Sequence, residues 1–148
     1  MRIALGADDA TQLVDVVADY LSSVGHEVTR FGRAAGVEQS WGETARRVAE
    51  GVARGDYAQG VVCCWTGTGV SIAANKVPGV RAALCVDAET ARGARKWNDA
   101  NVLALSLRLT SADVAREILA AWLSEPYAES EDESLAVLSA LDEGRQRS

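Results

Sequence analysis

The sequence predicts an α/β fold in which five mostly parallel strands form one sheet and a helix follows at the C-terminus. Two observations predict it. Short apolar segments alternate along the chain with longer segments whose apolar residues recur at helical spacing. The segment "GVVCC" at 60–64 is apolar on both faces, as in a strand buried inside a parallel sheet. Strands joined by helices form βαβ units, and these predict a three-layer α/β/α, Rossmann-like arrangement.

The first half of the chain contains two strand signals and two helix signals. The strand signals are "RIALGA" at 2–7 and "HEVTRFG" at 26–32. Apolar residues at helical spacing predict helices at 11–25 and 43–55. A polar loop with a glycine, at 33–42, separates the second strand from the second helix. A helix therefore follows each strand.

The same alternation continues after the strand at 60–64. A short helix is predicted for "VSIAANK" at 70–76 and a fourth strand for "VRAALCV" at 80–86. A helix opened by an aspartate cap follows at 87–97, and "NVLALSL" at 101–107 is the fifth strand. These segments complete the five strands of the predicted sheet.

The C-terminal part is predicted to be helical. A well-patterned helix covers 110–124, with Thr110 or Ser111 as its cap. After Pro126 comes the acidic stretch "AESEDES", and then a terminal helix around 135–144. No internal repeat or linker divides the chain, so residues 1–148 are expected to form a single domain.

Composition excludes several classes of protein. The chain is 48% hydrophobic and 24% charged, with a formal net charge of −6 and no basic stripe. Nucleic acid is therefore not expected as a partner, because phosphate binding requires clustered Lys and Arg. No apolar run approaches the roughly 20 residues that span a bilayer. The three cysteines have no paired metal-ligand spacing, and strand residues start directly after Met1, so we expect a reduced, cytoplasmic protein without a metal or cofactor.

Ligands of parallel α/β sheets bind at the carboxyl ends of the strands. That rule selects "GADDA" at 6–10, "CWTGTG" at 64–69 and "KWNDAN" at 96–101. In the second of these, Gly67 and Gly69 allow a tight turn before a helix whose free N–H groups can bind an anion. A turn that serves only the packing of helix against strand is an equally good interpretation.

Each polar candidate also has a structural interpretation. The Cys64 thiol can be a base or nucleophile, or it can be a small buried apolar group, as Cys63 and Cys85 are expected to be. Asp8 and Asp9 can hold sugar hydroxyls or a metal, or Asp9 can cap the first helix.

Other candidates are weaker. Asn98, Asp99 and Asn101 can bind hydroxyls or shape the turn into the fifth strand. The single histidine, His26, lies at a helix–strand turn on the opposite side and is interpreted as a surface residue.

Two long segments resemble a known family. "GVVCCWTGTGVSIAANKVPGVRAALC" and "ETARGARKWNDANVLAL" closely resemble the type B ribose-5-phosphate isomerases, a family that includes the galactose-6-phosphate isomerase subunits. The resemblance runs from "RIALGADDA" to "AREILAAWL". It implies an enzyme that interconverts aldose and ketose sugar phosphates through an enediolate, without a metal, and that works as a dimer or larger assembly with sites shared between subunits.

The resemblance also implies roles for individual residues. Cys64 matches the base that moves a proton between C1 and C2, and Thr66 matches the hydroxyl beside it. Asp8 and Asn98 match groups that contact sugar hydroxyls. The backbone amides that match the anion hole for the enediolate oxygen are those of Gly67, Thr68, Gly69, Val70 and Ser71.

Several positions depart from the family. Asp9 and Trp97 stand where the family has histidines, the second of which helps to open the sugar ring, and Trp65 replaces a glycine. Family arginines that hold the phosphate from the neighbouring subunit are replaced by Glu131 and Leu135.

Other features of the family are kept or implied. Arg108 is retained after the fifth strand. Segment 127–148 is then expected to pack on a partner subunit.

These departures leave more than one functional hypothesis. The first is an aldose–ketose isomerase acting on a non-phosphorylated or otherwise altered sugar, with Asp9 or Asp99 taking over the work of the lost histidine. The alternative is an inactive or hetero-oligomeric binding subunit of the same family, and a thiol enzyme of another type ranks last. Trp65 and Trp97 either narrow the pocket and stack on the sugar, fill an unused site, or pack at a subunit interface.

Overall fold

The protein is a five-stranded parallel sheet covered by helices on both faces. The computed structural model describes the backbone of residues 1–147 and the side chains of residues 1–145. The strands are β1 Arg2–Ala7, β2 Glu27–Gly32, β3 Gln59–Cys64, β4 Ala82–Leu84 and β5 Val102–Ser106. The helices are α1 Gln12–Ser23, α2 Trp41–Ala53, α3 Thr68–Asn75, α4 Ala88–Asn98, α5 Ala112–Ser124 and α6 Asp132–Arg147, with a 3₁₀ turn at Arg33–Ala35.

The strand order is β2-β1-β3-β5-β4, and all neighbouring strands are parallel. The predicted fold class is therefore confirmed. Strand β3 lies at the centre of the sheet, and all of its residues are buried, which explains why its sequence is apolar on both faces. Its last residue, Cys64, lies level with Ser106 of β5. The carboxyl ends of β3 and β5 thus lie side by side. We call this end of the sheet its carboxyl edge, and the opposite end, where the strands begin, its amino edge.

Helices α1, α4 and α5 cover one face of the sheet. Their apolar residues form a single core with β1, β3 and β5, and Trp122 of α5 is its largest side chain. The indole N–H of Trp122 donates a hydrogen bond to Oε1 of Gln59, 3.0 Å away, and the Arg95 guanidinium carbon lies 5.7 Å from the centroid of the Trp122 ring. The polar tip of the buried tryptophan is therefore satisfied inside the core.

Helices α2 and α3 cover the other face. Val48 of α2 and Val70 of α3 pack in a second core that includes Val62 and Cys64 of β3. Because α2 runs back from the carboxyl edge of the sheet, its first residue, Trp41, lies at the same edge as the end of β3. This packing places a large aromatic side chain near Cys64.

Several boundaries differ from the predicted ones for local reasons. Helix α2 starts at Trp41 because the Ser40 hydroxyl accepts a hydrogen bond from the Glu43 N–H, 3.1 Å away, as an N-cap. Ser111, rather than Thr110, caps α5. Strand β4 is shorter than predicted, since it pairs with β5 only over Ala82–Leu84. On its other side, the Asn75 side chain pairs with both backbone groups of Ala82, at 2.8 and 2.9 Å.

Helix α6 begins at Asp132, earlier than expected, and contacts its own chain. The Gly79 N–H donates to Oδ2 of Asp142, and Arg145 donates to the carbonyl oxygen of Asn75. The packing of 127–148 on a partner subunit stays a prediction, as does the single-domain organisation. Among the helices of residues 1–147, none is long and apolar enough to cross a membrane.

We expect Trp122→Phe to lower the free energy of unfolding by about 1–3 kcal/mol, because it leaves the buried Gln59 carbonyl without a donor. Urea unfolding followed by circular dichroism measures this. Val24→Ala is the control: Val24 is 47% exposed at the end of α1, so the change should stay within about 0.5 kcal/mol. Equal effects of the two substitutions would contradict the role given to the Trp122–Gln59 bond.

Candidate active site

The turn between β3 and α3 is shaped by Gly67. This residue has a φ of 77°, and a Cβ at this position would lie 2.6 Å from a methyl of Leu84 and 2.9 Å from the backbone of Leu105. Only glycine fits both constraints. Helix α3 starts at the next residue, Thr68, so the N–H groups of its first turn lack partners within the helix. The turn therefore directs the positive end of a helix toward the space beyond Cys64.

The end of β5 holds this turn in place. The Leu107 N–H donates to the Cys64 carbonyl, and the Arg108 N–H donates to the Trp65 carbonyl, each over 2.9 Å. The Ser106 hydroxyl, which is buried, donates to the same Trp65 carbonyl at 3.1 Å and accepts from the Leu109 N–H. Sequence analysis missed Ser106. The signal that could have found it was a hydroxyl at the end of an otherwise apolar strand.

A cleft of about 320 Å³ lies at this edge. It is lined by the end of β1, the start of α2 and the β3–α3 turn. The lining residues are Asp8, Trp41, Cys64, Trp65, Thr66, Thr68 and Gly69. The structure thus brings together the predicted residues from two separate segments, and it adds Trp41, which sequence analysis did not single out.

Three cysteines differ in what surrounds them. Cys64 is only 5% exposed, yet it lines the cleft. Burial raises the pKa of the Cys63 thiol to about 12, and it does the same for Cys85, with a smaller contribution from the charge of Asp87. Cys63 and Cys85 are buried apolar groups, as expected, and are poor candidates for thiol chemistry.

Two threonine hydroxyls meet beside Cys64. The Oγ1 atoms of Thr66 and Thr68 lie 2.7 Å apart, a hydrogen-bonding distance. Since Thr68 is the first residue of α3, this bond fixes the Thr66 hydroxyl relative to the helix N-terminus. A hydroxyl held in this way can donate to an oxygen bound in the cleft.

The two aspartates after β1 have different environments. Asp8 is half-buried and lines the cleft; burial raises its pKa, and the negative charge of Asp9 adds to the rise, against a backbone hydrogen bond that lowers it. Asp9 is exposed and accepts from the Ala10 N–H at 2.8 Å. The N-cap of α1 is Thr11, so the structure does not bear out the cap interpretation of Asp9.

The prediction that segment 96–101 shares this edge is wrong. Helix α4 runs back from the carboxyl edge to the amino edge, where Val102 pairs with Gly60 at the start of β3. Trp97 packs over Gly93, and Asn98 lines a separate cavity of about 370 Å³ beside α6. Within one chain, neither side chain lines the cleft at Cys64.

Other candidate residues also lie outside the cleft. Asp99 forms ion pairs with Arg81 and Arg95 near the start of β5. His26 precedes β2 at the amino edge, with Nδ1 2.9 Å from the N-terminal nitrogen. Leu135 lines a cavity with Asp99. Neither Asp99 nor His26 lines the cleft within one chain, so neither can serve Cys64 from the same chain.

Cations are scarce at the cleft. Arg108 is exposed and follows β5 at the carboxyl edge, and in the described part of the chain its guanidinium forms no ion pair. No lysine or arginine is among the lining residues. Over residues 1–147 no cluster of three or more His, Cys, Asp or Glu side chains is arranged to hold a metal ion. The chemistry available at the cleft is that of a thiol, a carboxyl group, two hydroxyls and helix amides.

These are the kinds of group that enzymes use for proton transfer and for stabilising an oxyanion. The family model described as Ribose/Galactose Isomerase matches residues 3–137, and the chain belongs to this family of sugar phosphate isomerases. The resemblance inferred from the sequence is thereby confirmed.

Relatives agree with this assignment. The chain is 38% identical to D-erythrulose-4-phosphate isomerase of Pectobacterium atrosepticum, over 86% of this chain and 85% of that protein. It is 37% identical to ribose-5-phosphate isomerase B of Escherichia coli, over 85% of each. The structure of type B ribose 5-phosphate isomerase from Trypanosoma cruzi superimposes with a TM-score of 0.90 at 36% identity, over 97% of this chain and 99% of that one.

We expect iodoacetamide to alkylate Cys64 before the other two thiols. Burial keeps Cys63 and Cys85 both inaccessible and protonated at neutral pH, whereas the Cys64 side chain faces the cleft. Mass spectrometry of tryptic peptides after short exposures measures the order. Cys64→Ser should remove the fast phase and Cys63→Ala should leave it; a fast phase that survives Cys64→Ser contradicts this assignment.

We expect Asp9→Asn to lower the pKa of Asp8, because it removes the negative neighbour that contributes to the raised value. The pKa should nevertheless stay above that of an ordinary aspartate, since burial is the larger cause. The ¹³Cγ chemical shift of Asp8 followed against pH measures it. Asp15→Asn on α1 is the control and should change nothing, because Asp15 is exposed and pairs with Arg30; an unchanged or higher pKa in Asp9→Asn refutes the coupling.

Proposed function

We propose that the protein is an aldose–ketose isomerase that uses Cys64 as its base on an open-chain, four-carbon sugar phosphate. The observation that carries the proposal is the position of the Cys64 thiol. It lies in a cleft with the half-buried Asp8 carboxyl and the N-terminus of α3. A base, a proton carrier and an oxyanion site are the three elements that enediolate chemistry requires.

The proposed reaction moves one proton between neighbouring carbons. The Cys64 thiolate removes the proton from the carbon next to the carbonyl, and the electron pair of that C–H bond forms the double bond of the enediolate. The thiol then returns the proton to the former carbonyl carbon, while the hydroxyl proton passes from one oxygen to the other. Asp8 suits this second transfer, because a raised pKa lets it exist in both protonation states nearer neutrality.

Negative charge develops on the enediolate oxygens during the reaction. The free N–H groups at the start of α3 and the hydroxyl pair Thr66–Thr68 can donate to such an oxygen. Gly67 to Ser71 are thus proposed as the oxyanion site, as the family resemblance implies. Preformed donors of this kind lower the barrier because they need no reorganisation when the charge appears.

The four-carbon substrate is supported by the name of a relative and by simple chemistry. The relative from Pectobacterium atrosepticum is named for D-erythrulose 4-phosphate. A four-carbon sugar phosphorylated at O4 cannot close a furanose ring, because the hydroxyl that would attack the carbonyl is esterified. Such a substrate needs no ring-opening acid, and this chain has Asp9 and Trp97 where the family has histidines.

The loss of histidine at these positions therefore indicates a substrate without a ring. It does not require a substrate without phosphate, which was the alteration favoured by the sequence analysis. His26 is the single histidine of the chain, and within one chain it lies at the amino edge, away from Cys64. Arg108, which follows β5 at the carboxyl edge, is the proposed contact for the phosphate.

A second subunit is part of the proposal. Trp97 and Asn98 lie at the amino edge of their own chain, so they can contact a substrate at Cys64 only from a partner. We therefore propose a homodimer or larger assembly in which Asn98 of one chain contributes to the cleft of another.

The proposal is tested by the incorporation of solvent deuterium. Erythrose 4-phosphate, erythrulose 4-phosphate, ribose 5-phosphate and the unphosphorylated sugars are each incubated with enzyme in D₂O and followed by NMR. Cys64→Ala should reduce exchange and turnover of the four-carbon phosphates by roughly 10²–10⁴-fold, the usual contribution of a general base. Cys63→Ala is the control, since that thiol is buried in the same strand and lies outside the cleft.

Two outcomes would contradict the proposal. Exchange that persists in Cys64→Ala would exclude Cys64 as the base. Absence of exchange with every substrate, in a protein that is folded by circular dichroism, would favour the alternative of a non-catalytic or hetero-oligomeric subunit.

A further inference from the structure

We infer that Trp41 and Trp65 form an aromatic wall that limits the substrate to four carbons. The inference rests on the proposed isomerase function and names the residues that set its substrate length. Both side chains line the cleft that contains Cys64, although they come from different elements, α2 and the β3–α3 turn. No other tryptophan lines this cleft within the described residues.

The exposure of the pair is unusual for such large apolar groups at one site. Trp41 is 48% exposed and Trp65 is 60% exposed, whereas Trp122 of the core is 1% exposed. Trp41 therefore leaves about half of its surface uncovered by the chain, and Trp65 leaves more than half. Two exposed indoles beside a buried thiol and a half-buried carboxyl are arranged as the walls of a binding site.

Trp65 is placed by its backbone. Its carbonyl oxygen accepts hydrogen bonds from the Ser106 hydroxyl and the Arg108 N–H, at 3.1 and 2.9 Å. It directly follows Cys64, whose carbonyl is held by Leu107. The point at which the Trp65 side chain leaves the backbone is therefore fixed one residue away from the Cys64 thiol.

Trp41 is placed by the start of α2 and by Gly69. Ser40 caps the helix, which fixes where Trp41 leaves the backbone. The indole ring lies so close to Gly69 that a Cβ there would be 3.0 Å from the ring. The glycine thus lets Trp41 lie against the first turn of α3, the same turn that is proposed to bind the enediolate oxygen.

The wall adds two large side chains to a cleft of modest size. The cleft volume of about 320 Å³ is at the lower end of the roughly 300–1,000 Å³ typical of ligand sites. On this inference, a further CHOH group would meet an indole face, which offers its hydroxyl no acceptor. A pocket wall of this kind discriminates one carbon unit by roughly 10- to 200-fold.

The test measures the preference for substrate length separately from turnover. Dissociation constants are measured by calorimetry for D-erythritol 4-phosphate and D-ribitol 5-phosphate, which are unreactive alditol analogues of the four- and five-carbon substrates. The ratio kcat/KM is measured in parallel for erythrose 4-phosphate and ribose 5-phosphate. The proteins are the full-length chain and its variants Trp65→Gly, Trp65→Phe, Trp41→Ala and Val24→Ala.

The unsubstituted protein should prefer the four-carbon analogue, and Trp65→Gly should shift the preference toward the five-carbon analogue by roughly 10- to 200-fold. Trp41→Ala should shift it in the same direction. Trp65→Phe should give a smaller shift, and it keeps an aromatic side chain in case glycine disturbs folding. Val24→Ala, an exposed apolar residue at the end of α1, should leave both preferences unchanged.

The outcomes distinguish this inference from the proposed function. The inference of an aromatic wall would be overturned if the unsubstituted protein bound both analogues equally. It would also be overturned if the variants weakened the binding of both analogues alike. Equal binding together with Cys64-dependent exchange would leave the isomerase proposal intact. If the unsubstituted protein prefers the four-carbon analogue and the tryptophan variants shift that preference, but no substrate is turned over, the aromatic wall is supported and the isomerase proposal is refuted.

Discussion

The hydrogen bonds between the end of β5 and the residues that follow β3 are the constraint on which the site depends. Leu107 and Arg108 donate N–H groups to the carbonyls of Cys64 and Trp65, and the Ser106 hydroxyl adds a second donor to Trp65. These bonds extend the pairing of two central strands beyond the ladder itself. They hold the backbone of Cys64 and Trp65 against the end of β5, so the positions from which the thiol and the Trp65 indole extend are fixed by the sheet.

The contrast between adjacent cysteines follows from the alternation of side chains along a strand. Cys63 points into the core formed with α1, α4 and α5, and burial raises its pKa to about 12. Cys64 points to the face covered by α2 and α3, at the position where the sheet ends and the cleft begins. One step along the chain therefore separates an inert thiol from a candidate base, and the packing of the helices decides which is which.

Much of the fold was predictable because it is encoded locally. The spacing of apolar residues, glycine turns and caps such as Asp87 and Ser111 are signals that involve only a few neighbouring residues. They located every strand and the helices α1 to α6. The boundaries of α2 and β4 were less accurate. Helix α2 begins after the Ser40 cap, a local signal that the apolar spacing alone did not use, and β4 is limited to the residues that pair with β5.

The sequence by itself determined the family, the α/β alternation and the candidate roles of Asp8, Cys64 and Thr66, because these rest on motifs and periods written along the chain. Only the tertiary structure decided which candidates meet. Trp41 reaches the cleft because α2 packs antiparallel to the strands, and Asn98 is carried to the opposite edge because α4 returns to the start of β5. Helix direction relative to the sheet sets these distances, and such long-range placement arises from packing between elements far apart in sequence.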